Sequence, residues 1–546
     1  MHEFIARIGL FTTAVVSLAL LVGCSASASL PAPTDDPVAS FRPNADDNRT
    51  ELAVDVVEPD WVADLPWNRT VNIEEQPGQT DAERFRAGQA ELRRRGGGVL
   101  YFPPGIYTFE EDIEIAEGVV LRGAAPGDPR DARDPNYALP SRLEFPKYEP
   151  NMTGSPTPID TAFKVVRMAP EASNAGIVNL HVNRSRLYWP EADTPEDAEN
   201  PHRVGRNRVV YGNIFTNTAG ADPAVPDPNY AHHPHQRWTA RHEAAVKVFS
   251  AENTFVANNR IPESGDDNFE IPDYRLLKPT RGSSLRFRQG DPSVTVTIPE
   301  GVIFDYDNRP GIYVNAFQMR GATPQTHPHA FRKGTIIRNN YIYATGRSAI
   351  HFTGDGTLCL NNVIRFPADV WRPTATGRTI TDGGSTNDTR ALTARGWRYT
   401  IAGNDYVVHS NLAYDRTHHI NDGEGLMHEE HDNCAVRDSK FVNNRGNRYI
   451  CIWRPNVDGL RIEGNTVGDD GDPAIHVLGS DRSVKNLTIR DNKVTEGAIR
   501  VVAEEPENIE IEGNEYTADS GSKIIVNDAD WVGGNEGFVI DVTDRR

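Results

Sequence analysis

The sequence predicts an all-β chain wound as a parallel β-helix, a single-stranded solenoid with long loop insertions and an N-terminal helical cap. Three observations predict it. A short strand-and-turn unit recurs along most of the chain, a helical stretch and a Gly-rich turn precede the first strands, and Pro- and Asp-rich insertions interrupt the repeats.

The repeat is clearest near the C-terminus. Aligning LRIEGNTV (460–467), LTIRDNKV (487–494) and IEIEGNEY (509–516) puts Asn465, Asn492 and Asn514 in one column, 27 and 22 residues apart. The same column takes Asn259, Asn340, Asn362 and Asn411, with Ser439 in place of an asparagine. Each unit alternates apolar and polar residues, as a strand does, and ends in a polar turn. Such a unit cannot bury its apolar side alone and must stack on its neighbours. Stacked Asn amides would hydrogen-bond one another along the axis and satisfy polar groups that the turn buries. A leucine-rich repeat would need a leucine spacing that the sequence lacks.

The cap is read from residues 87–127, AGQAELRRRGGGVLYFPPGIYTFEEDIEIAEGVVLRGAAPG. A short helical stretch leads to the turn Gly96 to Gly98, followed by Val99, Pro103, Gly105, Tyr107, Gly118, Leu121 and Gly123. This segment resembles the N-terminal cap of the pectate-lyase-like right-handed β-helix superfamily. Through the coil repeats the resemblance runs over about residues 65–530, and it implies a right-handed parallel β-helix there, with 531–546 as a tail or cap. The superfamily includes polysaccharide lyases, glycoside hydrolases, epimerases and phage tailspikes, so it implies a fold rather than one reaction.

Before the repeats, Arg7 stands ahead of an apolar run from Ile8 to Gly23, too short for a comfortable membrane span and suited to a signal peptide over 1–23. Leu21-Val22-Gly23-Cys24 resembles the bacterial lipobox, which implies lipidation of Cys24 as the new N-terminus. The expected location is the bacterial cell envelope, anchored by lipid at the outer membrane and facing periplasm or cell surface. Residues 24–64 are rich in Ser, Ala, Pro and Asp without apolar periodicity and read as a disordered tether. The formal net charge of -20 argues against nucleic acid and for solubility, and it leaves an acidic substrate open. The remaining cysteines, Cys359, Cys434 and Cys451, cannot all pair, so disulfides are not the framework, while Cys434–Cys451 stays open.

Function in a solenoid belongs where long loops leave the coils and a groove forms between them. Three insertions stand out. Residues 126–158 are expected to form one wall; 217–243 carry His232, His233, His235, Trp238 and His242; and 366–399 carry Trp371 and Trp397. Tryptophan on such loops suits the apolar face of a sugar ring.

Two acidic segments are candidates for catalysis. In FDYDNRPGIYVN (304–315), Asp305 and Asp307 alternate across Tyr306 on a strand, which sets them roughly 6–7 Å apart, suitable for an acid/base pair or for two calcium ligands. The segment HHINDGEGLMHEEHDNC (418–434) crowds Asp422, Glu424, His428, Glu429, Glu430 and His431. Crowded titratable groups raise one another's proton affinity, so one carboxyl can stay protonated while another ionises. His428 and His431 could also ligate a metal, and a polar coil edge is the remaining reading, so its metal content is left unknown.

Hydrolysis needs two carboxylates flanking the scissile bond. Elimination on a uronate needs a base together with calcium or cationic side chains, for which Lys247, Arg309, Arg320, Arg347 and His351 are candidates. The signatures of the galacturonase and classical pectate lyase types are missing. The sequence therefore favours, narrowly, carboxylate-driven hydrolysis of a polysaccharide, with a calcium-dependent lyase and a non-catalytic glycan-binding solenoid as alternatives. Expected substrate contacts are Arg309, Arg320, Arg347, His351, His242, Trp238, Trp371 and Trp397; the expected cofactor is none, or Ca2+ for a lyase.

Overall fold

The computed structural model describes residues 58–545 with gaps at 147–163, 186, 189–204, 217–221, 224–236, 240–244, 251, 262–278, 287–294, 300–302, 306–310, 315–331, 344–347, 366–389, 408–415, 421–435, 447–449, 454–456, 469–473, 496, 518–523 and 527–541. All lie in one compact unit, Arg42–Arg546.

Among the described residues, 37 strands join in one sheet, and its pairings are parallel. A strand has its hydrogen-bond partners one coil before and one coil after, which is the parallel β-helix expected from the repeats. Each coil contributes to three ladders. In one coil, Ser348–Asp355 belongs to ladder A, Leu358–Leu360 to ladder B and Val363–Arg365 to ladder C. One coil on, these pair with Arg390–Trp397, Thr400–Ala402 and Asp405–Val407. In the C-terminal coils a short fourth ladder, beginning with Val436–Arg437 and Val457–Asp458, runs between A and B.

Alternation along each strand sends one residue in two into the solenoid, where Ile337, Cys359, Ile401 and Phe441 of ladder B stack on one another, fully buried. Cys359 is thus a free thiol of the core, and burial pushes its pKa far up. The N-terminal end of this apolar column is closed by a helix, Asp81–Arg94, whose Phe85 and Leu92 are buried. Thr80 and Glu83 form its capping box. Gln89 ties the helix to the sheet, donating to the Glu114 carbonyl and accepting from the Ala116 N–H. A Cβ at Gly88 would come within 2.5 Å of the Leu100 side chain, so a larger residue there would have to displace that buried leucine.

The corner between ladders B and C carries the buried asparagines. Nine of them, Asn213, Asn259, Asn340, Asn362, Asn404, Asn444, Asn465, Asn492 and Asn514, form a continuous run. Each Nδ2 donates to the next Oδ1 at 2.9 to 3.0 Å, as with Asn362 to Asn404 and Asn404 to Asn444. The Nδ2 also donates to a ladder B carbonyl, Ile337 for Asn362, and the backbone N–H donates to the same neighbouring Oδ1. All four hydrogen-bonding positions of the amide are filled, as burial demands. The run corrects the sequence column in three places: Asn404 and Asn444 stand in it where Asn411 and Ser439 were expected, and Asn213 extends it. Asn411 lies outside the described residues. Ser439 is buried one corner earlier, between ladders A and B, donating to the Arg437 carbonyl.

The described part of the first insertion, residues 126–140, lies along this B–C corner. Tyr137 donates to the Gly212 carbonyl at 2.6 Å, Asn258 donates to Arg130 and accepts from Ala132, and Arg133 reaches the Asn361 carbonyl. The segment is a strap across successive coils. The chain then enters a ladder C strand, Ser141–Glu144, and residues 147–158 of that insertion lie outside the described residues.

Replacing Asn404, Asn465 or Asn492 by Leu leaves neighbouring amides unpaired in a buried corner and should cost about 1–3 kcal/mol by urea denaturation. Lys493→Ala, at an exposed position beside the Asn492 corner, should cost almost nothing; equal effects would mean that the amide run contributes no stability.

Candidate functional site

Ladder A buries Ile312, Val314, Ile350 and Phe352 inside, so the residues between them belong to the outward register. Coil by coil, that register position holds Arg167, Tyr188, Lys247, Tyr313, His351, Thr393, His419, Cys451, His476 and Arg500. Parallel strands set successive members about 4.8 Å apart. One row thus sets Lys247, Tyr313 and His351 on consecutive coils.

Its middle is a contact cluster. Lys247 and His351 are only 2% and 7% exposed although they belong to the outer face, and Tyr313 between them is partly buried. The Lys247 ammonium lies 5.3 Å from the Phe249 ring centroid and 5.5 Å from that of Tyr313. Aromatic faces at that range attract an ammonium. Tyr313 meets the His351 ring edge-on at 5.0 Å between centroids. A cation, a phenol and an imidazole on three consecutive coils can respectively neutralise a negative charge, donate a proton and accept one.

Two residues named from the sequence as elimination candidates, Lys247 and His351, are therefore brought into one cluster. Tyr313 was missed. Its signal was the alternation Ile312-Tyr313-Val314, which marks a buried strand with one outward polar residue, eight residues beyond Asp305. Asp305 itself ends the strand Ile303–Asp305, which pairs with Arg237–Thr239 so that Thr239 faces Asp305 and Trp238 faces Phe304 in register. With Asp222–Pro223 these form a three-stranded sheet separate from the ladders. The structure thus places the strands of Asp305 and Trp238 side by side. Asp307, Arg309, Arg320, Arg347, His242, Trp371, Asp422, Glu424, His428, Glu429, Glu430, His431 and Cys24 lie outside the described residues, as do His232, His233 and His235. In chain order, residues 421–435 leave a ladder A strand, Arg416–Ile420, and residues 262–311 lead into another, Ile312–Val314.

Trp397 lies elsewhere on the surface. It is in register with Asp355, four residues along the strand from Thr393 and so roughly 13 Å from the row position of His351. The Arg437 guanidinium stacks 4.7 Å from its ring centroid, so one face of the indole is already covered. Beside it, Arg398 takes a left-handed backbone conformation, φ 53°, and grips Asp355 with two hydrogen bonds. These contacts tie the Trp397 corner to Asp355, Arg398 and Arg437.

A second polar cluster lies on ladder C. Thr216 donates to Asn183 Oδ1 at 2.8 Å, so its oxygen accepts from the His181 Nε2–H, also at 2.8 Å. Asn183 passes the chain to Glu144, which Arg184 and Arg142 also bond, each at 2.7 Å. Burial, helped by the Arg142 charge, lowers the His181 pKa from 6.5 to about 4. The network and its burial hold His181 neutral.

Cysteine, histidine and carboxylate side chains of the described residues form no group that could hold a metal ion. No protein-family model and no curated sequence matches the chain. Among solved structures it is similar to the catalytic unit of a GH87 alpha-1,3-glucanase from Streptomyces thermodiastaticus, at 12% identity, 87% of this chain, 69% of that chain and a TM-score of 0.43. It is also similar to a tailspike protein of E. coli bacteriophage HK620, solved with a pentasaccharide, at 11% identity, 89% and 79% coverage and a TM-score of 0.40. A third likeness is to PfbA, a surface adhesin of Streptococcus pneumoniae, at 11% identity, 88% and 100% coverage and a TM-score of 0.39. None of these likenesses assigns chemistry to a residue of this chain.

The depressed pKa of His181 has a consequence for acid stability. Above pH 6.5 it is neutral folded and unfolded, and its stability is fully present. As pH falls from 6.5 toward 4 the unfolded chain takes the proton first, and up to about 3 kcal/mol is lost. His181→Gln should flatten the stability–pH slope in that window, measured by urea midpoints from pH 7 to 4; an unchanged slope would assign the acid sensitivity to other groups.

Proposed function

We propose that the chain is a polysaccharide-active enzyme that cleaves an acidic glycan by β-elimination, with Lys247, Tyr313 and His351 as its reacting groups. The observation that carries this reading is their contact on three consecutive coils of ladder A. His351 takes the proton from the sugar carbon next to the uronate carboxylate. The electrons of that C–H bond form a carbon–carbon double bond, the bond to the glycosidic oxygen breaks, and the Tyr313 hydroxyl gives the leaving oxygen its proton. Lys247 neutralises the carboxylate, which makes the adjacent C–H more acidic.

This chemistry places the ammonium where a lyase otherwise uses calcium. Calcium takes six to eight oxygen ligands. The cluster offers one phenol oxygen beside an ammonium and an imidazole, so it does not fit the ion, and no step needs one.

Hydrolysis remains the second reading, favoured by the sheet that sets the strand of Asp305 beside that of Trp238. The product separates the two: elimination leaves an unsaturated sugar that absorbs in the ultraviolet, and hydrolysis leaves none.

His351→Ala and Tyr313→Phe should each lower turnover on a uronate polymer by about 10²–10⁴-fold with little change in melting temperature. Lys247→Met should raise KM as well as lower kcat. New reducing ends without ultraviolet absorbance, together with full activity of all three variants, would sink the elimination reading and favour hydrolysis.

The location read from the lipobox resemblance is proposed alongside. Cys24→Ser should move the protein from the membrane fraction to the soluble envelope fraction, and unchanged fractionation would refute lipid anchoring.

A further inference from the structure

Ladder B turns a different face outward from ladder A. Over its last coils one outward register position holds Thr400, Lys440, Arg461, Thr488 and Glu510 in turn. Other charged rows of the same coils alternate in sign. Along the short fourth ladder the order is Arg437, Asp458, Lys485, Glu507, and at the far end of ladder B it is Glu463, Arg490, Glu512. Within these rows Lys485 pairs with Glu507 at 3.0 Å and Arg490 with Glu463 at 3.2 Å. Opposite charges facing across strands are favourable and like charges are not.

Lys440 and Arg461 break that rule. They face each other one coil apart, about 4.8 Å along the axis, both exposed, and neither makes an ion pair among the described residues. The chain around them carries a formal charge of -20, so counter-charges were available. Asp438, at the adjoining corner, acts on Arg398, and Glu510 stands two coils beyond Arg461, near the Thr488 hydroxyl. The two cations line a surface groove of about 740 Å³ together with Asn486, Thr488 and Asn508, with the carboxylates Asp438 and Glu510 at its margins.

We propose that this groove is a second, non-catalytic binding site for an acidic polysaccharide, with one anionic substituent held between Lys440 and Arg461. The proposal extends the acidic-glycan reading of ladder A to a face that does no chemistry. An unpaired cation pair is a standing repulsion that a carboxylate or sulfate oxygen relieves, and the planar guanidinium accommodates such a group through two parallel N–H donors. On the two following coils Asn508 donates to Asn486 and Asn486 to Asp458, so the positions these amides and the Thr488 hydroxyl keep free are what ring hydroxyls farther along the same chain would meet. Its orientation along the solenoid axis would let a glycan pass from coil to coil, as the row on ladder A does.

The test is retention of the full chain in affinity electrophoresis through gels containing polygalacturonate, a sulfated galactan or a neutral glucan. The double variant Lys440→Ser/Arg461→Ser should lose about tenfold in affinity for whichever anionic polymer retards the wild type, and the identity of that polymer tells carboxylate from sulfate. Its melting temperature should not fall, because a like-charge contact is removed, and its turnover of a short uronate oligosaccharide should be unchanged. Retention equal to wild type, or an equal loss on the neutral glucan, would overturn the proposal. His351→Ala separates the two readings: retarded like wild type but inactive, it supports both, whereas if it is active the catalytic assignment falls and the groove is still judged by the double variant.

Discussion

Everything else in this fold depends on the amide-to-amide contact at the corner between ladders B and C. A parallel strand pair has no turn to set its register, and a slip of one residue would exchange the inward and outward sides of every strand beyond it. An asparagine that can satisfy its amide only when its neighbour sits one coil away fixes that register at each turn of the solenoid. The backbone supports it: the residue before each of these asparagines is in the left-handed region, as at Gly403 with φ 63° and Asn443 with φ 53°. Glycine, asparagine and aspartate tolerate that conformation best.

The functional consequence is alignment. Lys247, Tyr313 and His351 are far apart in sequence and lie on strands joined by long connections, yet each stands at the middle of a strand that the corner has placed in step. The same rule makes outward rows of every ladder comparable coil by coil. Charges alternate in sign along two of those rows, and the adjacent Lys440 and Arg461 depart from that alternation.

The fold was legible because repetition multiplies a weak local signal. A single Asn says little, but Asn465, Asn492 and Asn514 behind three similar strands specify stacking. The column failed at Asn411 and Ser439 because strand similarity alone was used to place it. The residue before the asparagine is the sequence signal that separates them: Gly403 and Asn443, ahead of Asn404 and Asn444, are types that adopt the left-handed region readily, whereas the residue ahead of Asn411 is a serine. The site was legible only in pieces. Lys247 and His351 could be named as residues suited to elimination, but their contact depends on which strands become neighbours, and the connections between them hide that in the sequence. The titratable groups crowded at 421–434 lie outside the described residues, and Tyr313 is a lone polar residue in an apolar strand, whose contacts with Lys247 and His351 come from other coils.

The corner also separates a residue's spatial address from its count along the chain. Between Ile261 and Ile312 the chain inserts 50 residues, 262–311, on its way from ladder C to ladder A; between Tyr343 and Ser348 the same passage takes four, 344–347. Both arrive at ladder A in register, because the next corner re-establishes the phase whatever length preceded it. Lineages of such a chain can therefore lengthen, shorten or exchange whole loops on the way into ladder A without moving a core residue. New specificities can be tried at the loops while the row beneath keeps its place, and the price of a failed trial is confined to the coil that carries it.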